Sequence, residues 1–253
     1  LAAKSFTCLR LAGVVVLLLQ ASACLGDTLR VAVASNFSAT LALLQPDFER
    51  ASGHRMQLIP GSSGRHFAQI SNGAPFDLFL SADAERIRAL EAAGRINAGQ
   101  RRVYALGRLA LWTREANQSV SLDRLATLAA SERVAIANPR LAPYGQAAVR
   151  ALTARELYAV VEPSLVMGEN VGQTFQFAYS GSARFAFVAY SQVLSAPEPG
   201  SYALVPDDDY EPIVQEMALL KESEAAHALF DYLSSPAIAP VLERAGYYAP
   251  NSH

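Results

Sequence analysis

Gly61-Ser62-Ser63-Gly64 follows an apolar run, Met56 to Ile59, that reads as a strand, and precedes Arg65-His66-Phe67-Ala68-Gln69-Ile70, whose spacing is helical. The four residues therefore form a strand-to-helix turn. Two glycines let the backbone approach a bound group closely, and the serines bring hydroxyls to the unpaired N–H groups that open a helix. Such a corner suits an anion. It equally suits a plain N-cap, in which Ser62 or Ser63 satisfies the helix start and nothing else. What favours a ligand is a second corner of the same kind upstream.

That second corner is Ser35-Asn36-Phe37. Leu29 to Ala34 reads as the first strand, and Ser38 to Ala51 as a helix with Leu41, Leu44 and Phe48 on its apolar face. Pro46 predicts a break or restart within that helix. Ser35 and Asn36 thus stand at the carboxyl end of a strand, where open α/β sheets place ligands. From Thr28 onward apolar runs alternate with helical segments, the pattern of parallel α/β units.

Phe76 to Leu80 reads as the next strand, with Ser81-Ala82-Asp83 capping a helix through Ala93. Asp77 and Asp83 invite a catalytic reading, but a cap accounts for Asp83 and a polar position on the strand's edge for Asp77. Arg102 to Trp112 is a long β-like stretch whose length and Gly107 predict a crossing into a second lobe. There Ser121 to Ala130 reads as a helix and Val134 to Ala137 as a strand. Asn138 to Gly145 is a proline-rich turn before a helix from Gln146 to Thr153, which makes a third corner. The fourth is Gly168-Glu169-Asn170-Val171-Gly172, between a strand at Leu165 to Met167 and a helix from Gln173 to Ser180. Phe185 to Tyr190 and Tyr202 to Val205 read as strands, Asp207-Asp208-Asp209 as a solvated loop, and Ile213 to Leu220 as a strand returning to the first lobe before two terminal helices. The expected division is residues 27–105 with 212–253 in lobe I, and 106–211 in lobe II.

The chain has 253 residues, 51% hydrophobic and 17% charged, with a net charge of −2. That is enough for two lobes of roughly 100 residues each, and it provides no basic surface for nucleic acid. Residues 1–26 read as an export signal: Lys4 and Arg10 flank an apolar run from Leu11 to Leu19, and Ala21-Ser22-Ala23 has the small-x-small pattern of signal cleavage. Cys24, directly after it, raises a lipoprotein reading in which that cysteine is acylated, although Ala21 stands where a larger aliphatic residue is usual. The two cysteines, Cys8 and Cys24, both lie in that region, so the domain beyond it has neither an internal disulfide nor a thiolate metal set.

The order of Ala34-Ser35-Asn36-Phe37, Gly61-Ser62-Ser63-Gly64, Gly73-Ala74-Pro75-Phe76-Asp77, Ser81-Ala82-Asp83, Asn138-Pro139, Pro143-Tyr144-Gly145 and Glu169-Asn170-Val171 resembles the substrate-binding proteins of molybdate ABC importers. The resemblance runs from about Thr28 to Pro250. It implies a two-lobed α/β type II periplasmic-binding-protein fold with a tetrahedral oxyanion in the cleft between lobes, and no cofactor. It also implies a periplasmic monomer that passes molybdate or tungstate to a membrane permease driven by an ATPase. Residue by residue, it implies ligand donors at Ser35, Asn36, Ser63, Tyr144 and, through its backbone N–H, Val171. Many members carry a tyrosine on the strand matching Phe185 to Ala189. Here that position is Ala189, and Tyr190 follows it on the opposite face. Tyr144 then takes the tyrosine's place, as in the branch with Asn-Phe in the first corner and Pro-Tyr-Gly in the third. With the register one residue off, Tyr190 is the ligand.

Hydroxyls, an amide and backbone N–H groups offer donors to a fully ionised anion, each worth roughly 1.5–3 kcal/mol net, without a counter-cation. Arg65 and His66, just past the second corner, read as a solvated arginine and a surface histidine rather than a clamp. Two rival readings remain open, a binder of sulfate, phosphate or an organic carboxylate, and a secreted serine hydrolase. Gly61 to Gly64 is one residue short of G-x-S-x-G, and His54, His66, His227 and His253 show no metal-ligand spacing.

Overall fold

The computed structural model describes residues 26–128 and 131–250; the expected export segment, but for Gly26, and with it Cys24, lies outside them. Among these residues, ten strands form two five-stranded sheets. They are β1 (Thr28–Ala34), β2 (Arg55–Gly61), β3 (Leu78–Leu80), β4 (Arg101–Gly107), β5 (Leu109–Thr113), β6 (Val134–Ala137), β7 (Leu165–Gly168), β8 (Phe185–Ala189), β9 (Ser201–Leu204) and β10 (Ile213–Leu219). The helices are α1 (Ser38–Ser52), α2 (Ser63–Ser71), α3 (Glu85–Ala92), α4 (Leu122–Leu128), α5 (Pro143–Ala154), α6 (Tyr158–Val161), α7 (Val171–Tyr179), α8 (Tyr190–Leu194), α9 (Glu224–Leu233) and α10 (Ala239–Arg244).

The first sheet has the order β2-β1-β3-β10-β4 and the second β7-β6-β8-β5-β9. In each, three parallel strands are joined by an antiparallel one: β10 runs against β3 and β4, and β5 against β8 and β9. The two halves thus repeat one architecture, but the antiparallel strand comes last along the chain in the first lobe and first in the second. The chain therefore crosses twice, from β4 through Arg108 into β5 and from β9 into β10. The long β-like stretch is two strands in different sheets, β4 ending at Gly107 and β5 starting at Leu109.

Each sheet has its own core. Val31, Val33, Leu41, Phe48, Leu80 and Leu229 pack in the first lobe, and Leu109, Leu111, Ile136, Leu152 and Phe187 in the second, all fully or nearly fully buried. β6 and β8 are apolar throughout, and β1 from Val31 to Ala34, as strands covered on both faces require. α1 continues through Pro46, against the expected break. Pro46 and Ala42, whose carbonyl loses its partner, both lie on the exposed face, where water can meet it, while Leu41, Leu44 and Phe48 hold the opposite face on the sheet.

Two other expectations change. α5 begins at Pro143, three residues before the expected start, because proline is preorganised for the first helical position. α7 begins at Val171 with Asn170 as its N-cap, Oδ1 accepting the Gln173 N–H. Both shifts put a candidate residue, Tyr144 or Val171, into the first turn of a helix, where N–H groups have no intrahelical acceptor. Asp77 is buried rather than at an open edge: its carboxylate accepts the Arg30 backbone N–H and faces Lys221. Asp83 takes the Arg86 N–H at the start of α3, a capping role.

Candidate anion site between the lobes

The four corners lie at the carboxyl ends of β1, β2, β6 and β7, and hydrogen bonds between the lobes join them. Gly64 N–H donates to Leu141 O (2.9 Å), Gly172 N–H to Ser35 Oγ (3.3 Å), and Ser191 Oγ to Asn36 O (3.0 Å). Arg65 pairs with Glu169 at 3.1 Å, and Arg86 reaches Arg140 O at 3.1 Å. The cleft is closed.

What these contacts leave over is a set of donors. The residues Asn36, Ser63, Tyr144 and Val171 are 1–3% exposed, and among the described residues no acceptor meets the backbone N–H of any of them. Four neighbouring N–H groups are used, Ser35 on Gly61 O, Phe37 on Ala34 O, Gly64 on Leu141 O, and Gly172 on Ser35 Oγ, while that of buried Ser62, like the four above, meets no acceptor among the described residues. Buried N–H groups in folded proteins are nearly always paired, so these orphans at the meeting of four corners point to an acceptor that arrives from outside.

The hydroxyls point the same way. Ser63 Oγ accepts the Ala82 N–H (2.9 Å) and Ser35 Oγ accepts that of Gly172, so each hydroxyl retains its single proton to give. Ser62, in contrast, is the N-cap of α2 and takes the Arg65 N–H. The plain-cap reading therefore holds for Ser62, and Ser63 is free of that duty.

Tyr144 presents its N–H at the second position of α5, while its side chain runs to the crossing between lobes. There its hydroxyl accepts from Gln215 Nε2 at 3.4 Å. Tyr190 is elsewhere: its ring packs on Tyr202 (5.5 Å between centroids) and under Arg108, and its hydroxyl meets that of Tyr202. Asn36 Nδ2 donates to Gln215 Oε1 (2.8 Å) and reaches Tyr247 Oη (3.2 Å), whereas Asn36 Oδ1 is buried without a partner. Turning this amide alone, with Gln215 left as it stands, would set Oδ1 against Gln215 Oε1, acceptor on acceptor.

Positive side chains stay outside. Arg65 is over half exposed and paired with Glu169 at the rim, and Arg86 is paired with Asp83. His66 is the exception to the expected surface histidine. It is buried at 2% exposure beneath Phe76 and Phe79, with Nδ1 on Gln69. Its burial pushes its pKa down. Below the ordinary value of about 6.5, the unfolded chain therefore takes up a proton that the folded one refuses, and stability falls as pH drops through that window. Glu216, whose pKa is raised by burial, acts with the opposite sign. The expected result is a melting temperature that declines on acidification below about pH 6.5, with a smaller slope in His66→Gln. An unchanged slope in that variant would clear His66 of the effect.

Gln215, Tyr104, Ser191 and Tyr247, which brace the site, are not among the residues that the sequence singles out for it. The available signal is Gln215-Glu216, two polar residues inside the otherwise apolar run from Ile213 to Leu220.

The family model for bacterial extracellular solute-binding proteins matches residues 29–248. The chain is 40% identical to the molybdate-binding protein ModA of Rhodobacter capsulatus over 220 residues, covering 85% of this chain and 86% of that protein. It is 38% identical to ModA of Azotobacter vinelandii over 234 residues, 90% and 93% of the two chains. The solved structure of the Azotobacter vinelandii periplasmic molybdate-binding protein superimposes with a TM-score of 0.81 at 34% identity, over 88% of this chain and all of that one. The sulfate-binding protein SubI of Mycobacterium tuberculosis shares the fold at 13% identity, with a TM-score of 0.74 and coverage of 89% and 88%. With two lobes closed on a set of unpaired donors and a family match along nearly all of its described length, the chain belongs to the bacterial extracellular solute-binding proteins.

Proposed function

We propose that this protein captures molybdate, and tungstate with it, in the cleft and delivers the anion to an ABC importer. The observation that carries the reading is the donor set: unpaired N–H groups at Asn36, Ser63, Tyr144 and Val171 with the hydroxyls of Ser35 and Ser63, drawn from both lobes and without a cationic side chain. A fully ionised tetrahedral dianion offers acceptors alone, and each charged hydrogen bond contributes roughly 1.5–3 kcal/mol. The names of the relatives support the choice of metal oxyanion. Because each lobe supplies part of the set, the anion binds the closed state better and shifts the population toward it.

The same geometry argues against a hydrolase. Ser63 Oγ accepts a backbone N–H, and among the described residues no histidine bonds to it, so nothing activates it as a nucleophile. A monomer working in the periplasm fits this role, free or tethered through Cys24, with a permease and an ATPase as its partners. No described helix is long and apolar enough to cross a membrane.

Calorimetry of the chain from Asp27 onward tests the reading. Molybdate and tungstate are expected to release heat at one site per chain, and sulfate and phosphate little. Equal binding of all four would remove the metal-oxyanion assignment, and sulfate alone would transfer it.

A further inference from the structure

Gln215 lies on β10, just past the second crossing between lobes, and is fully buried. Its amide touches both lobes. Oε1 accepts Asn36 Nδ2 (2.8 Å) and lies 2.9 Å from the Tyr104 hydroxyl, while Nε2 donates to the Tyr144 hydroxyl (3.4 Å). The backbone is shaped for this meeting. Where β10 pairs with β4, Gln215 faces Ala105 and Glu216 faces Val103, so Tyr104 is the extra residue of a bulge, which re-aims its side chain at Gln215. Gly107 opens the space on the other side: a β-carbon there would stand 2.3 Å from the Tyr144 hydroxyl and 2.7 Å from Gln215 Nε2.

The direction of these bonds has a consequence. With Asn36 Nδ2 donating, the facing atom of Gln215 is its oxygen, and Nε2 turns toward Tyr144. An amide nitrogen cannot accept, so the Tyr144 oxygen must, and the tyrosine's one proton finds no acceptor among the described residues. Burial pushes the pKa of this hydroxyl well above its ordinary value, so the proton is held throughout the working pH range.

We infer that Gln215 is a positioning residue for anion capture: it couples lobe closure to the site by seating the second-lobe Tyr144 against the first-lobe Asn36, with the tyrosine proton left unspent. The inference rests on the oxyanion reading above and adds to it a residue that touches no ligand. In this closed arrangement the Tyr144–Gln215 bond spans the two lobes, and we assign it to the closed state. Removing it lowers affinity by making closure less favourable, with the donors themselves intact.

Gln215→Leu, Gln215→Glu, Tyr144→Phe and the Leu/Phe double variant, titrated calorimetrically with molybdate beside the wild type, test this. Gln215→Leu is expected to bind about tenfold more weakly, as the loss of a net hydrogen bond implies. In the Tyr144→Phe background the same change should cost clearly less, because the second-lobe partner is already gone and only the first-lobe bonds, to Asn36 and Tyr104, remain to be lost. Gln215→Glu adds a pH signature. Its carboxylate would repel a dianion and accept the Tyr144 proton, so its affinity should rise on going from pH 8 to 5.5, while the wild type stays level over that range. Folding of each variant is read from its melting curve, and Gln215→Glu, close in shape to the wild type, serves if the leucine variant fails to fold. Losses that simply add in the double variant, or a Gln215→Glu profile parallel to the wild type, would overturn the inference. If instead the wild type itself gives no heat with molybdate, the failure lies with the ligand assignment.

Discussion

Asn36→Asp is expected to abolish molybdate binding at neutral pH, with affinity reduced by three orders of magnitude or more, while Asn36→Ala loses about tenfold. The aspartate has the shape of the residue it replaces but places an oxygen where Nδ2 now donates to Gln215 Oε1 and Tyr247 Oη. Asn36 is 2% exposed, and its own backbone N–H is one of the four unpaired donors, so the new charge would be buried beside the bound anion. At an effective dielectric of about 20, a unit charge about 5 Å from a dianion is repelled by about 6–7 kcal/mol, against about 1–3 kcal/mol for a lost hydrogen bond. Charge therefore dominates over shape, which the alanine variant isolates: it keeps the backbone donor and removes only the brace. Burial also raises the carboxyl pKa, so part of the lost affinity should return as pH falls toward 5.5. Calorimetry on both variants decides the matter. Binding by Asn36→Asp within tenfold of the wild type would place the anion somewhere other than beside the first corner.

The corners were legible because turn chemistry is local. Ser35-Asn36 and Ser62-Ser63 stand between an apolar run and a helical one, and either pattern can be read from fewer than ten residues. The helix starts were harder. A proline-rich segment, Asn138 to Gly145, looks like a loop, yet its last three residues open α5, and it is this start that leaves the Tyr144 N–H unpaired. Pro46 misleads in the opposite sense, since its ring is tolerated wherever the freed carbonyl faces water. His66 was misplaced because one polar residue on a short helix carries no sign of the sheet that will cover it, and only tertiary packing puts Phe76 and Phe79 over the ring.

The brace around the site was beyond local reading altogether. Asn36 and Gln215 are 179 positions apart, and Asn36 and Tyr247 are 211 apart. Two crossings between the lobes bring them together. The direction of Tyr144 belongs to the same class: sequence placed the residue at the third corner, but whether hydroxyl or N–H faces the cleft depends on Gly107 and Gln215, which lie on other strands.

Gly64→Val is expected to weaken molybdate binding by about 100-fold or more and to leave the folding of the ligand-free protein nearly unchanged. Gly64 stands beside Ser63 in the first turn of α2, and its N–H donates across the cleft to Leu141 O. A β-carbon at this position would lie 3.0 Å from both the Leu141 α-carbon and its carbonyl oxygen, and 3.3 Å from Arg86 Nη2. These distances are tight for a methyl, and the two methyls of valine extend the conflict. The obstacle is backbone of the opposite lobe, which cannot swing aside as a side chain would; it can only retreat by opening the cleft. Closure is disfavoured while each lobe keeps its own core. An anion that must draw donors from both halves then works against that opening, and about 2.7 kcal/mol of closure penalty translates into the 100-fold loss. Gly64→Ala should fall between the valine variant and the wild type. Small-angle scattering supplies the second readout: molybdate should compact the wild type and leave the valine variant extended. If the valine variant binds with wild-type affinity, capture does not depend on the lobes meeting at Leu141, and the closed cleft is not the state that holds the anion.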